Sequence, residues 1–221
     1  MKKQPWGRTP DSLGVIAFLT MAIGALDAYS YLHRGGVFAS MQTGNMLLLT
    51  IRLTQGDLPG AAHYLLPILS FAAGAAVTEI LRKRKSGSLQ WQQRVVLCEI
   101  LALTIAAFLP TGVWDNAVNS LIAIACSMQL STFRTVRGLA FASTMCTGNL
   151  RSAAEFLYHG GVEKQPGAYR TAGCYLAVIG CFLLGAAAAS LLLPLLGQWT
   201  VLFSVLSLLL AFSRLRSSNE T

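Results

Sequence analysis

Two short polar segments interrupt an otherwise apolar sequence: Met41-Gln42-Thr43-Gly44-Asn45 and Met145-Cys146-Thr147-Gly148-Asn149. Their residue types suit binding rather than bond breaking. Threonine is a favoured helix N-cap, and glycine permits a turn or a close backbone approach. Each segment is expected to open a short half-helix, 46–52 in the first case, with unbonded amides and a positive dipole end facing inward. Two such ends, meeting at the membrane midplane, would make a polar site in apolar surroundings. That site would favour an anion or a neutral polar solute and oppose cations. The same residues also suit a plainer role, capping and packing two buried turns.

Asp27 lies inside the first apolar run, where a carboxylate is costly and is a functional candidate by default. It would bind a proton or orient a polar substrate. The competing reading puts it near the outer interface, paired with His33 or Arg34. Gln129 takes the matching place in the second half, where a helix-packing hydrogen bond is the plainer role. The candidate substrate-binding set is therefore Asp27, Thr43, Gly44, Asn45, Gln129, Thr147, Gly148 and Asn149. No Ser-His-Asp pattern, P-loop or G-x-G-x-x-G is present, so no enzyme activity and no catalytic residue is expected. Cys98, Cys126, Cys146, Cys174 and Cys181 lie in apolar runs without C-x-x-C spacing, and read as small buried thiols. His33, His63 and His159 are scattered, so neither a metal site nor a cofactor is expected.

The elements that must carry these residues follow from composition. Of 221 residues, 54% are hydrophobic and 12% charged, about half the charge of a soluble domain. That excludes a soluble globule, a disordered chain and a disulfide scaffold, leaving a polytopic membrane protein. A membrane helix needs roughly 20 mostly apolar residues. Runs 12–32, 61–81, 95–113, 117–133, 171–196 and 199–212 qualify or nearly qualify, with Asp11 or Ser12 as the first N-cap. Runs 37–51 and 139–157, which hold the Thr-Gly-Asn segments, are not clean spans. The N-terminal run is too long for a signal peptide h-region and is expected to stay as an uncleaved first helix.

The two Met-x-Thr-Gly-Asn segments lie 104 residues apart, and other matches follow in the same order. A glycine comes 11 residues after each Asn, at Gly56 and Gly160. Phe71-Ala-Ala-Gly74 matches Phe182-Leu-Leu-Gly185. Asp27 precedes Gly36, and Gln129 precedes Gly138, by nine residues each. The chain thus reads as one membrane domain, 1–221, of two repeats, about 12–113 and about 116–213.

The positive-inside rule decides whether the Thr-Gly-Asn segments span or dip in and return. With the N-terminus inside and both segments re-entrant, 15 of 17 basic residues fall inside, leaving only Arg34 and Arg52 outside. If both segments span, the tally is 9 inside and 8 outside. The re-entrant arrangement wins. Three spans per repeat is an odd number, so the second half is inverted relative to the first, as in many transporters. Trp6, Trp91, Trp114 and Trp199 fall just beyond the expected span ends, where indoles prefer the interface. The net charge of +8 then orients the protein and contacts anionic lipid, and nucleic acid is not expected as a partner.

Smaller features follow. Glu79 is expected to pair with Arg82 or Lys83. Glu99 is placed in the first turns of its helix, where the dipole favours it. Asn116 and Asn119 are placed at the outer mouth. The four-residue spacing of Gly173, Ala177, Cys181, Gly185 and Ala189, and of Ser70, Gly74 and Thr78, suits close helix packing.

The segments Asp27-Ala28-x-Ser30, Val37-Phe38-Ala39 and Gln42-Thr43-Gly44-Asn45, followed by Leu47-Leu48-Leu49, resemble the YoaK family of bacterial membrane proteins. Met128-Gln129, Arg134, Gly138 and Thr147-Gly148-Asn149 fit the same pattern, and the likeness covers roughly 12–212. The resemblance implies a domain of unknown function in the bacterial cytoplasmic membrane with about six spans. It brings no substrate, cofactor or catalytic residue. Ser40 and Met41 stand where that pattern leads us to expect Asn or a similar polar residue, so polar contacts from those two positions are not expected.

The sequence therefore reads as an all-α integral membrane protein. Six transmembrane helices form two inverted three-span repeats, each with a re-entrant Thr-Gly-Asn segment. It is expected in the bacterial inner membrane with both termini cytoplasmic, in contact with membrane lipid, as a monomer or a homo-oligomer. The preferred function is a small-solute transporter or channel for a polar or anionic solute. The competing class is a non-transporting scaffold or assembly protein.

Overall fold

The computed structural model describes residues 13–83, 89–133, 135–136, 139–140 and 146–217. Within them run helices α1 (Leu13–His33), α2 (Gln42–Thr54), α3 (Leu58–Lys83), α4 (Leu89–Phe108), α5 (Asp115–Thr132), α6 (Cys146–Gly161), α7 (Ala168–Leu196) and α8 (Val201–Ser217). Between α5 and α6, Thr135–Val136 (β1) pairs antiparallel with Leu139–Ala140 (β2), a strand pair the hydropathy pattern does not announce. Asp11 and Ser12, the expected first N-cap, and Gly138 lie outside the described residues.

Four stretches are long and apolar enough to cross a membrane: Leu13–His33, Leu58–Arg82, Trp91–Phe108 and Ala168–Leu215. The last contains two helices, because the chain breaks at Gly197 (φ 54°, ψ −127°) between α7 and α8. Helix α5 spans 18 residues and is more polar, opening with Asp115-Asn116 and carrying Asn119 and Gln129. Helix α1 is the axis of the bundle. In its apolar window 67% of residues are buried, against 17–33% in the other three stretches. Outward faces are apolar as well, with Leu101 63%, Leu191 75% and Leu195 80% exposed. Such a surface is at rest in lipid and not in water.

Helix directions follow from the ends that meet. Arg34, just after α1, bonds to carbonyls at the end of α4 and to Asp115 at the start of α5. Gln198, just after α7, donates to the carbonyl of Ala107 in α4 and accepts from the Tyr29 hydroxyl in α1. His63, in the second turn of α3, reaches Gly35 and Asn116. At the far end Gly14 of α1 faces Arg214 of α8. Helices α1, α4 and α7 therefore run one way, and α3, α5 and α8 the other.

The packing has a regularity of its own. α1 packs on α7 and α8, while α5 packs on α3 and α4; α2 lies on α3, α6 lies on α7, and α4 meets α8. Exchanging the first four helices with the last four leaves this set of pairs unchanged. The crossings correspond too. A Cβ on Gly185 of α7 would collide with the Met21 backbone of α1, and one on Gly74 of α3 with the Ile124 backbone of α5. Gly24 of α1 meets the Phe182 backbone in the same way. At the corresponding place in the other pair of helices, Ser127 of α5 donates to the Phe71 carbonyl at 2.7 Å. Close approach is thus confined to part of the small-residue stripe: nothing lies within 4 Å of a Cβ on Gly173.

Several boundaries differ from expectation. Helix α2 begins at Gln42 and not near 46, and its N-cap position is Met41, with no capping side chain of its own. Thr43 and Thr147 are therefore helical residues and not caps. Helix α4 begins six residues before the apolar run, so Glu99 falls in its third turn, and it ends at Phe108 ahead of Pro110. Cys98 is exposed and only Cys126 is buried, against the expectation of five buried thiols. Glu79 pairs with Arg82 at 2.8 Å, as its spacing predicts.

Candidate functional site

Beyond Arg34 the chain doubles back along α1 and reaches the level of Asp27, more than a turn below the end of that helix, at Ser40. It then turns into α2, which returns to the start of α3. Asp27 is 3% exposed. Its Oδ1 accepts the Ser40 backbone N–H at 2.7 Å, and its Oδ2 accepts a short hydrogen bond from the Ser40 hydroxyl. The backbone amides of Ala39 and Met41 also face the carboxylate. Ser40 thus makes the polar contacts that the comparison with the YoaK pattern did not lead us to expect. Asp27 pairs with neither His33 nor Arg34; among the described residues no cationic side chain reaches it. Asp27 does not cap α2 itself: it accepts the Ser40 amide, ahead of the first helical residue Gln42, on the side where negative charge is favoured.

The Thr-Gly-Asn segment holds that loop in place. Asn45 is fully buried. Its Oδ1 accepts the Phe38 N–H at 2.9 Å, and its Nδ2 donates to the Phe38 carbonyl at 2.7 Å and to Gln42 Oε1 at 2.9 Å. A Cβ on Gly44 would lie 2.9 Å from the Phe38 ring. Glycine makes room for the ring while Asn fastens its backbone, and the residues that follow Phe38 are thereby pressed against Asp27. Thr43 is exposed. In the second segment Asn149 is likewise buried and Thr147 exposed, but Gly148 is exposed where Gly44 is half-buried. Gln129, 2% exposed, donates to the Leu19 carbonyl at 3.1 Å and ties α5 to α1.

Beside Asp27 opens a cavity of about 280 Å³. Leu32, Phe38, Met41, Phe182 and Ala186 give it apolar walls, Tyr31 and Ser190 add hydroxyls to the lining, and Asp27 is the one charged lining residue among the described residues. Tyr31 and Phe38 stack with ring centroids 4.8 Å apart.

A second buried charge lies at the end of α1. Arg34 is completely buried. Its guanidinium donates to the Tyr29 hydroxyl (2.9 Å), the carbonyls of Leu109 (2.8 Å) and Pro110 (3.0 Å), and Asp115 (3.0 Å). Asn119 donates to the Arg34 carbonyl at 2.7 Å. Sequence reasoning missed this cluster, although a signal was available. The two basic residues that the charge tally leaves outside, Arg34 and Arg52, are matched by Asp115 and Asp57, each within ion-pair distance. Glu99, expected in the first turns of its helix, lies deeper, in the third turn of α4. It is 2% exposed, and its Oε1 has no hydrogen-bond partner among the described residues.

Apolar helices that run in alternating directions, a lipid-compatible surface and a carboxylate held inside the bundle define a helical protein of the membrane class. The chain belongs to the family described as protein of unknown function DUF1275, whose model matches residues 15–213. This is the family to which the YoaK resemblance points. No curated protein and no solved structure matches the chain.

Proposed function

We propose that this protein is a small-solute transporter of the bacterial inner membrane, built as two inverted three-span repeats that carry one re-entrant Thr-Gly-Asn helix each. The observation that carries the reading is the exchange symmetry of the packing, down to the paired crossings at Gly74 and Gly185. Inverted halves around a midplane site are the geometry that alternating access requires. In this reading α1, α3, α4, α5, α7 and α8 cross the bilayer, with Arg34 at the outer side and both termini in the cytoplasm. Helices α2 and α6 enter from opposite faces. Irregular backbone at such depth is tolerated only where protein or a cavity covers it, and the loop 37–41, fastened by Asn45, meets that condition. Asp27 orients the solute, while Asn45 and Gln129 position the elements around it.

The competing scaffold reading draws on the same two residues, whose amides are engaged in the fold rather than turned to a cavity. Cysteine labelling in a cysteine-free background tests the inverted arrangement, and uptake separates the two readings. Thr43→Cys should react with an impermeant thiol reagent from outside only, and Thr147→Cys and Gly87→Cys from the cytoplasmic side only. Gly87 itself lies outside the described residues. Outside labelling of Gly87→Cys, or labelling of both threonine positions from one face, overturns the inverted arrangement. Saturable uptake above that of empty proteoliposomes is expected; its absence across cationic, neutral and anionic solutes supports the scaffold.

A further inference from the structure

The cavity beside Asp27 sets a chemical condition on its occupant. Its walls are apolar, its one charged lining residue is a carboxylate, and no cation of the described protein compensates that charge. Neutral donors satisfy both carboxylate oxygens, which fixes the group in place without cancelling its charge. An unneutralised charge in apolar surroundings is costly, and an opposite charge brought by a ligand recovers part of that cost. Of the backbone amides at this segment, that of Ser40 is bonded to Asp27, and those of Gln42, Gly44 and Asn45 are bonded to carbonyls within the segment. An anionic solute would therefore meet a carboxylate where the sequence alone suggested a positive helix end.

Two further features narrow the class. The stacked rings of Tyr31 and Phe38 line the same cavity, and aromatic faces attract ammonium groups. Asp27 stands among apolar walls, so the charged head of a ligand would sit at the carboxylate while an apolar body covers Phe38, Phe182 and Ala186. At about 280 Å³ the space is at the small end for ligand sites, and suits a single ring or short chain. We infer that the groove between α1 and α7 binds a small organic ammonium ion with an apolar body, its nitrogen at Asp27. This deepens the transporter reading by naming its substrate class, and rests on that reading only for the word substrate.

The test uses the full chain in detergent with 2-phenylethylammonium as probe and 3-phenylpropionate as its anionic counterpart. A ligand that binds only the folded state raises the melting temperature by mass action. The ammonium should raise it in a saturable way and the carboxylate should not. Asp27→Asn should weaken binding at least tenfold. Tyr31→Leu should weaken it by about threefold to tenfold, the scale of a lost cation–π contact. Ala186→Leu fills the groove without touching the carboxylate and should abolish binding, which keeps the test valid if Asp27→Asn fails to fold. Glu155→Gln, at an exposed position on α6, serves as the control and should bind as wild type does. Stabilisation by 3-phenylpropionate, or equal ammonium binding by Asp27→Asn and wild type, overturns the assignment. Displacement of the probe by phosphatidylethanolamine in nanodiscs, but not by phosphatidylcholine, assigns the groove to a lipid headgroup and overturns the free-solute form. Binding of the ammonium without uptake into proteoliposomes leaves this inference standing and sinks transport. Uptake of another solute without ammonium binding does the reverse.

Discussion

Asp27 and Arg34 stand seven residues apart, one on α1 and one just beyond it, and both are buried. Their charges are handled in opposite ways. Arg34 meets a carboxylate, a phenol and carbonyls at the end of α4, so its charge is spent on joining α1 to α4 and α5. Among the described residues Asp27 meets only neutral donors of one loop, and it faces a cavity. A buried charge whose partners come from several helices is a fastening. A buried charge left without an opposite charge, beside open space, is where the proposed ammonium ligand would bind.

The largest effect that tests this contrast belongs to Arg34. Breaking a buried ion pair by removing one partner costs about 3–5 kcal/mol, or roughly 10 °C in melting temperature for a chain of this size. Arg34→Gln should show that loss in a thermal melt, with or without the ammonium probe. A smaller loss is expected for Asn45→Ala, which strands the Phe38 N–H and carbonyl at about 1–3 kcal/mol. Because Asn45 also fixes the loop against Asp27, the same variant should weaken ammonium binding, so its melt and its binding curve should shift together. Ser40→Ala removes one hydroxyl donor and should cost about 1 kcal/mol by denaturation in mixed micelles. At the bottom of the scale, Glu79→Gln removes a half-exposed ion pair on α3 and should change stability by less than about 0.5 kcal/mol. A Glu79→Gln loss as large as that of Arg34→Gln would break the argument that the number and origin of partners decide a charge's role.

How much of this was legible in the sequence varies with the kind of fact. The four stretches long and apolar enough to cross a membrane follow from hydropathy, and the matched helix contacts of the two halves accompany the repeated Met-x-Thr-Gly-Asn and the Phe71/Phe182 match. Asp27 was legible because an intramembrane carboxylate is rare. Its partner was not, because the path of 34–41 back along α1 is set by Asn45 closing on Phe38, a contact that a residue pattern does not reveal. For the same reason the Thr-Gly-Asn segments read as ligand contacts, whereas Gly44 and Asn45 hold the loop that presents Ser40 to the carboxylate. Glu99 was misplaced because the polar Trp91-Gln92-Gln93-Arg94 hid the first turns of α4. The Arg34 cluster needed the end of α1 brought against the end of α4 and the start of α5, and only the charge left over at Arg34 hinted at it.

The measurement that bears most directly on Asp27 is uptake of labelled 2-phenylethylammonium by proteoliposomes, with wild type and Asp27→Asn compared at matched protein content and matched melting temperature. The wild type should accumulate the ammonium saturably. Asp27→Asn should melt within a few degrees of it, because an amide keeps an acceptor for the Ser40 N–H and removes an uncompensated charge, yet its uptake should fall to that of empty vesicles. Undiminished uptake by Asp27→Asn, or a loss of fold in that variant as large as the loss in Arg34→Gln, would contradict the account and place Asp27 among the fastenings.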